Sequence, residues 1–398
     1  MNPFKQSKYP GRVESPWRVE SPWRDESPWR DESPWRDVSP VRVESPGPIV
    51  SLFVIASLTL VSCKVSFVPL PEQETRYDLT TTGQLQDPEY AQRIGDFYDS
   101  GNEGIFKGRA GVPIYYKIFR KEGKEKGAIL ISSGRSEAAL KYKEVIFDLY
   151  HNGYSIYIHD HRGQGLSGRM TEDPELGYID TFQFYIDDMK YFFDRYLKPG
   201  DHERAYLLAH SMGGAIGMIY LEQFPDDFDA AAFISPMLGL KPPLCLLAGI
   251  LAGEEPEYAP GQTGYSDDST HFEGNTVTGS KVRYHRKIAA YARVPEARLG
   301  GASTLWVHRS CRQFRYMFDH IENIETPFIL FTAEDENLVD PRSHQKFIRE
   351  ALLEGKQCRA FLVENARHEL LMEKDSRRTK AMNTVLNFYD QHAIEPRN

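Results

Sequence analysis

From residue 104 onward, short apolar runs alternate with longer stretches whose apolar positions recur every three or four residues. The short runs predict strands: 104–108 and 112–119 flanking the turn residues Arg109, Ala110 and Gly111, then 127–133, 154–159, 204–210, 230–235, 327–331 and 359–363. The longer stretches predict helices over 138–152, 181–197, 213–223 and 379–392. Most of these strands are apolar at successive positions rather than alternating, which requires burial on both faces. Strands and helices in turn imply a mostly parallel sheet flanked by helices, an α/β fold. Ligands in such sheets bind at the carboxyl ends of the strands.

The alternation is interrupted at about 240–324. That segment opens with an apolar stretch, 242–252, and continues through an acidic, Gly- and Tyr-rich part. It ends in a basic helical run around 281–291. An insertion of this size after the strand at 230–235 reads as a cap over the site. Its apolar stretch is read either as a packed cap helix or as an element that enters a bilayer or lines an acyl-chain channel.

The chain before the sheet is of another kind. A six-residue unit built on Glu-Ser-Pro-Trp-Arg repeats from Glu14 to Asp37 and carries four of the chain's five tryptophans. Proline in every unit blocks a helix, and alternating charge leaves no apolar face. Residues 1–47 therefore read as a disordered repeat, absent from the mature protein if the true start lies downstream. Residues 48–63 form an apolar run of signal-peptide length ending in Leu60-Val61-Ser62-Cys63, similar to a bacterial lipoprotein box. The expectation is lipidation at Cys63 and a membrane-anchored lipoprotein facing the cell envelope, with an uncleaved anchor helix as the alternative. Residues 64–93 then read as a tether and 94–398 as the folded domain.

Composition removes several classes. The 398 residues carry a formal net charge of −9, which disfavours non-specific nucleic-acid binding. The four cysteines, Cys63, Cys245, Cys311 and Cys358, contain no Cys-x-x-Cys pair, so neither a zinc site nor a dense disulfide framework is expected. One or more could still pair in an exported domain. No metal or organic cofactor is implied.

The chemistry concentrates at Ala209-His210-Ser211-Met212-Gly213, where a strand turns sharply into a helix. Small residues two before and two after a serine suit a strained nucleophile elbow. A serine needs a histidine to take its proton and a carboxylate to orient that histidine, in the chain order Ser, Asp or Glu, His. Counting four residues beyond Phe331 gives Asp335 as the acid, with Asp340 and then Glu334 as fallbacks. His368, on the loop after Val363, is the histidine. The backbone N–H groups of Met212 and Arg135 are the candidate oxyanion donors, with Gly134 letting the chain turn at Arg135. Asp160-His161-Arg162-Gly163-Gln164-Gly165 lacks dinucleotide-binding spacing and reads as a scaffold supporting the elbow and oxyanion loops, with Asp160 and Gly213 in supporting roles.

These motifs resemble the lysophospholipase L2 family and its monoacylglycerol-lipase-like relatives. The likeness runs through Asp160-His161-Arg162-Gly163-Gln164-Gly165, Ala209-His210-Ser211-Met212-Gly213-Gly214, Ser235-Pro236-Met237 and Ala366-Arg367-His368-Glu369, and covers about 97–392, cap included. It implies an α/β-hydrolase fold. It also implies a serine hydrolase that cleaves the fatty-acyl ester of single-chain lipids, lysophospholipids first, through an acyl-enzyme on Ser211. Ser133 stands where monoacylglycerol lipases carry a histidine, a departure that leans away from them. The alternatives are a monoacylglycerol lipase, a broad carboxylesterase or a peptidase of the same fold. A non-enzymatic surface lipoprotein that binds through its repeat is the remaining reading. A lipid substrate and membrane association are the expected partners.

Overall fold

The computed structural model describes residues 67–71, 76–266 and 271–393. The repeat, the apolar run and Cys63 lie outside the described residues.

In chain order the elements are β1 (Val68–Pro69), α1 (Thr82–Gln86), α2 (Pro88–Asp99), β2 (Asn102–Lys107), β3 (Pro113–Phe119), β4 (Gly127–Ser132), α3 (Lys143–His151), β5 (Tyr154–His159) and α4 (Gln183–Phe192). There follow β6 (Ala205–His210), α5 (Met212–Gln223), β7 (Ala230–Ile234), α6 (Leu244–Leu251), α7 (Lys281–Arg293), α8 (Thr304–Asp319), β8 (Phe328–Asp335), α9 (Pro341–Leu353), β9 (Cys358–Arg367) and α10 (Asp375–His392). The strands form one sheet in the order β1-β9-β8-β7-β6-β4-β5-β3-β2. Pairing is parallel from β1 through β5, and β2 and β3 are antiparallel at the edge.

Burial on both faces explains the continuous apolar strands. In β6, Leu207 and Ala209 belong to the core packed under α4, α5 and α8. Tyr206 and Leu208 belong to the core under α3 and α10. Successive side chains of a strand point to opposite faces, so each position meets a helix layer.

β4 lies between β5 and β6, so the chain leaves β4 in opposite directions and opens a crevice at the strand ends. Ser132 at the end of β4 pairs in register with Ala209 at the end of β6. The loop after β4 and the turn after β6 are therefore neighbours by construction.

Two expectations change. Residues 76–93 are not a tether. Tyr77 Oη donates to Asp390 at 2.8 Å and Asn387 at 3.0 Å, while Leu85 and Ile94 form a small core with Phe147. The sequence signal was weak because α1 is five residues long and α2 buries only two residues. β8 also runs four residues past Phe331, the expected strand end, to Asp335. Of the four cysteines, for which pairing was left open, Cys245 and Cys311 form a disulfide that joins α6 to α8.

The cap supplies α6, α7 and α8. Buried Arg283 of α7 holds it to the body, with ion pairs to Glu144 of α3 at 2.9 Å and Asp375 of α10 at 2.7 Å. Its Nη1 also donates to Glu373 O and its Nη2 to Thr80 O. One planar guanidinium thus engages three chain segments, a geometry lysine could not supply.

Candidate active site

Ser211 follows directly on β6 with φ 51° and ψ −118°. A non-glycine residue at positive φ stores roughly 1–3 kcal/mol and persists only where its surroundings fix it. Here Ser211 N–H donates to Ile234 O, while its carbonyl accepts from Gly214 N–H and Met237 N–H. The need for Gly213 is steric. A Cβ there would lie 2.1 Å from Ser132 O and 2.5 Å from Ser133 O, both main chain. The start of α5 is thus pressed against the loop after β4. Met212 is the first residue of α5, so its N–H has no acceptor within the helix.

His368 lies on the loop after β9 and is buried. Its Nδ1 is 2.7 Å from Glu336 Oε2. The expected acid, Asp335, is not there. Its side chain is 58 % exposed and faces Arg367 at 3.4 Å, with Asn337 Nδ2 donating to it at 2.8 Å. The longer β8 is the cause: Asp335 is still on the strand and pairs in register with Arg367. Glu336 is the first residue off the strand, and its side chain is 1 % exposed. The fallbacks are also occupied. Asp340 caps α9 and pairs with Arg342, and Glu334 accepts from Asn365 N–H. The chain order that allows Asp or Glu was the signal that could have found Glu336. The count from Phe331 missed it by one.

Glu336 is held as an anion. Burial pushes its carboxyl up, but the His368 bond and the Leu338 and Val339 N–H groups outweigh this and hold it below the ordinary carboxylate value. Those N–H groups donate to Oε1 at 2.8 and 3.2 Å, leaving Oε2 for the imidazole.

The loop after β4 is braced from below. Gln164, within the segment read as a supporting scaffold, donates through Nε2 to Gly134 O at 2.8 Å and Glu137 O at 2.7 Å. Its Oε1 accepts from Ser136 N–H. Asp160 accepts from Ala139 N–H and Leu166 N–H, both at 2.7 Å. The glycine at 134 is explained by close approach: its N–H donates to Glu137 Oε2 at 2.6 Å, and a Cβ would lie 2.9 Å from that carboxyl. The positive φ of this loop falls at Ser136 instead.

Ser211, His368 and Arg135 line one cavity of about 740 Å³, within the range that takes a small-molecule ligand. Met237, Leu240, Leu244 and Val307 give part of its wall an apolar surface, the last two contributed by the cap. A serine on a strained elbow and a buried carboxylate–imidazole pair, opening into one cavity at the strand ends, define a serine hydrolase of the α/β-hydrolase class.

The comparisons sharpen that class. The chain belongs to the family described as serine aminopeptidase, S33, whose model matches residues 123–375. It is 34% identical over 311 residues to lysophospholipase L2 of Escherichia coli K12, covering 75% of this chain and 90% of that protein. A probable lysophospholipase L2 of Haemophilus influenzae is 31% identical over 300 residues, 73% of this chain and 93% of its own. Among solved structures, a soluble variant of monoglyceride lipase from Saccharomyces cerevisiae superposes with a TM-score of 0.60 at 20% identity, over 81% of this chain and 99% of that one. That last likeness shows the fold. The chain is an ester hydrolase.

Proposed function

We propose that this protein hydrolyses the fatty-acyl ester of lysophospholipids, with Ser211 as nucleophile, His368 as general base and acid, and Glu336 as the orienting carboxylate. The observation that carries this reading is the Glu336–His368 pair beside Ser211 in a cavity with apolar cap residues on its wall. Similarity to lysophospholipase L2 across the cap supports the choice of substrate.

Glu336 keeps the proton on His368 Nδ1, so Nε2 is the basic nitrogen. The Ser211 hydroxyl attacks the acyl carbonyl and passes its proton to Nε2. The tetrahedral oxyanion accepts from the Met212 and Arg135 main-chain N–H groups. As the ester C–O bond breaks, the imidazolium returns its proton to the departing glycerophospho-alcohol, leaving an acyl-serine. Water then attacks, gives a proton to Nε2, and the fatty acid leaves as Ser211 recovers its hydrogen.

The reading extends to the membrane. Leu246 and Ile250 on α6 are 66% and 70% exposed, and Leu247 and Leu251 are half-exposed. The same helix puts Leu244 into the cavity wall. We read α6 as the face that meets the lipid surface and admits the acyl chain. Anchoring through Cys63 at the cell envelope is in keeping with the Cys245–Cys311 disulfide, since disulfides persist in oxidising compartments.

A lipid panel tests the substrate. Wild type is expected to release fatty acid from lysophosphatidylethanolamine faster than from monoacylglycerol or short p-nitrophenyl esters, and Ser211→Ala to release none. Failure of a fluorophosphonate to label Ser211 in folded protein would end the catalytic reading. Leu246→Asp with Ile250→Asp should weaken binding to phosphatidylglycerol vesicles while p-nitrophenyl butyrate turnover persists. An unlipidated Cys63 in intact mass analysis of the cell-envelope protein would refute the anchor.

A further inference from the structure

The cavity holds more charge than the triad uses. Lys141 pairs with Glu137 and, at 3.0 Å, with Glu369. Lys287 pairs with Glu369 at 3.2 Å. Two ammonium groups thus meet two carboxylates, and each carboxyl is held low as a result. For both, burial pushes upward; Lys141 and His210 hold Glu137 well below the usual carboxylate range, and Lys141 and Lys287 take Glu369 down to about 2. Arg298, also on the wall, donates to Tyr291 O and lies over the Tyr265 ring.

Arg135 is different. Among the described residues no carboxylate lies within ion-pair distance of its guanidinium. Its partners are neutral: Nη1 donates to Ser136 Oγ at 3.1 Å, Nη2 to Gly300 O at 2.8 Å, and the group lies 5.2 Å from the Trp306 ring centre. Nε is buried with no hydrogen-bond partner. Burial lowers the guanidinium to about 10, still cationic at neutral pH. The side chain is part-buried in the cavity wall and its charge is met by neutral dipoles only, a deficit that a ligand anion would offset. A guanidinium matches phosphate oxygens in its fork geometry.

The position has a chemical meaning. The main chain of Arg135 faces the ester oxyanion in the proposed reaction, while its side chain runs toward the cap at Gly300 and Trp306. In a lysophospholipid only the glycerol separates the ester from the phosphodiester, a span comparable to an arginine side chain. We propose that the Arg135 guanidinium receives the phosphodiester, so that one residue serves the ester through its backbone and selects the head group through its side chain. This deepens the lysophospholipid reading and rests on it. It makes the phosphate, rather than the choline, ethanolamine or glycerol beyond it, the recognised feature.

Two measurements on full-length protein test it. First, sn-glycerol 3-phosphate and glycerol are compared as inhibitors of p-nitrophenyl butyrate hydrolysis. In wild type the phosphate should inhibit at least tenfold more strongly, and Arg135→Gln should abolish that difference. Second, the ratio of kcat/KM for lysophosphatidylethanolamine to that for the monoacylglycerol of the same chain should fall at least tenfold in Arg135→Gln. Arg135→Lys should recover part of it. Reading a ratio removes any general loss through the main chain, and a melting curve verifies each fold. An unchanged ratio, or phosphate inhibition that survives Arg135→Gln, overturns the proposal. If wild type cleaves no lysophospholipid yet shows Arg135-dependent phosphate inhibition, the substrate reading fails and the anion site stands.

Discussion

Replacing Glu336 with glutamine tests the assignment of the acid most sharply. The substitution is nearly isosteric, and Oε1 can still accept from Leu338 and Val339 N–H. What changes is the atom 2.7 Å from His368 Nδ1. An amide NH2 in that place cannot accept from Nδ1–H, so the proton shifts to Nε2 and the base faces Ser211 already protonated. In serine proteases the equivalent carboxylate-to-amide change costs about 10⁴ in kcat, or about 5.4 kcal/mol at 1.36 kcal/mol per decade. Glu336 adds the stabilisation of an imidazolium inside a buried site, so a loss of about 10³–10⁴ is expected here. Asp335→Asn removes only an exposed contact to Arg367 at 3.4 Å, expected to change kcat less than about twofold, since exposed pairs contribute roughly 0–1 kcal/mol. The assay is kcat on p-nitrophenyl butyrate, with burst titration to count active sites. A larger loss from Asp335→Asn than from Glu336→Gln would refute the argument.

Three further outcomes follow from the same geometry. Gly213→Ala places a methyl group 2.1 Å from Ser132 O; kcat should fall by about 10² or more as the oxyanion donors separate, and near-wild-type kcat would contradict the steric account. His344, buried between Thr332 and Pro236 O, is lowered by burial from 6.5 to about 4. The unfolded chain protonates it below pH 6.5 and the folded chain only near pH 4, so its contribution is complete above pH 6.5 and lost as pH falls through 4. His344→Gln should reduce the loss of urea stability between pH 7 and 4 by about 3 kcal/mol; identical pH slopes would exclude this. Breaking the Cys245–Cys311 bond, which closes a 66-residue separation, should lower stability by up to about 4 kcal/mol on the chain-entropy estimate, measured as denaturation of Cys311→Ser against wild type.

Much of this site was readable in the sequence because its parts have strong local signatures. The elbow announced itself through Ala209, Ser211 and Gly213 between an apolar strand and a helix, and β5, β6 and β7 lie where their apolar runs are. What escaped depends on distances between segments remote in the chain. Glu336 and Asp335 are both acidic and adjacent; only the extension of β8 against β9 decides which one turns inward. Gln164 was legible as part of a supporting scaffold, but not its bonds to two carbonyls about thirty residues away, and α1 and α2 gave little signal because one is five residues long and the other buries only two.

The segment ahead of β2 also supports the cap. Arg283 of α7 reaches Thr80 O and Thr82 Oγ1, and Arg286 reaches Leu85 O. The shelf under this lid helix is built partly from residues 80–85, ahead of the strands that carry the chemistry. A version trimmed at residue 94 would retain β2 through β9 and every residue of the proposed triad, yet would lose that shelf. Such a protein would behave as an enzyme with its door hung on half its hinges: competent toward small esters, indiscriminate toward lipids. The cap helix is thus held in part by a stretch more than a hundred residues upstream of Ser211.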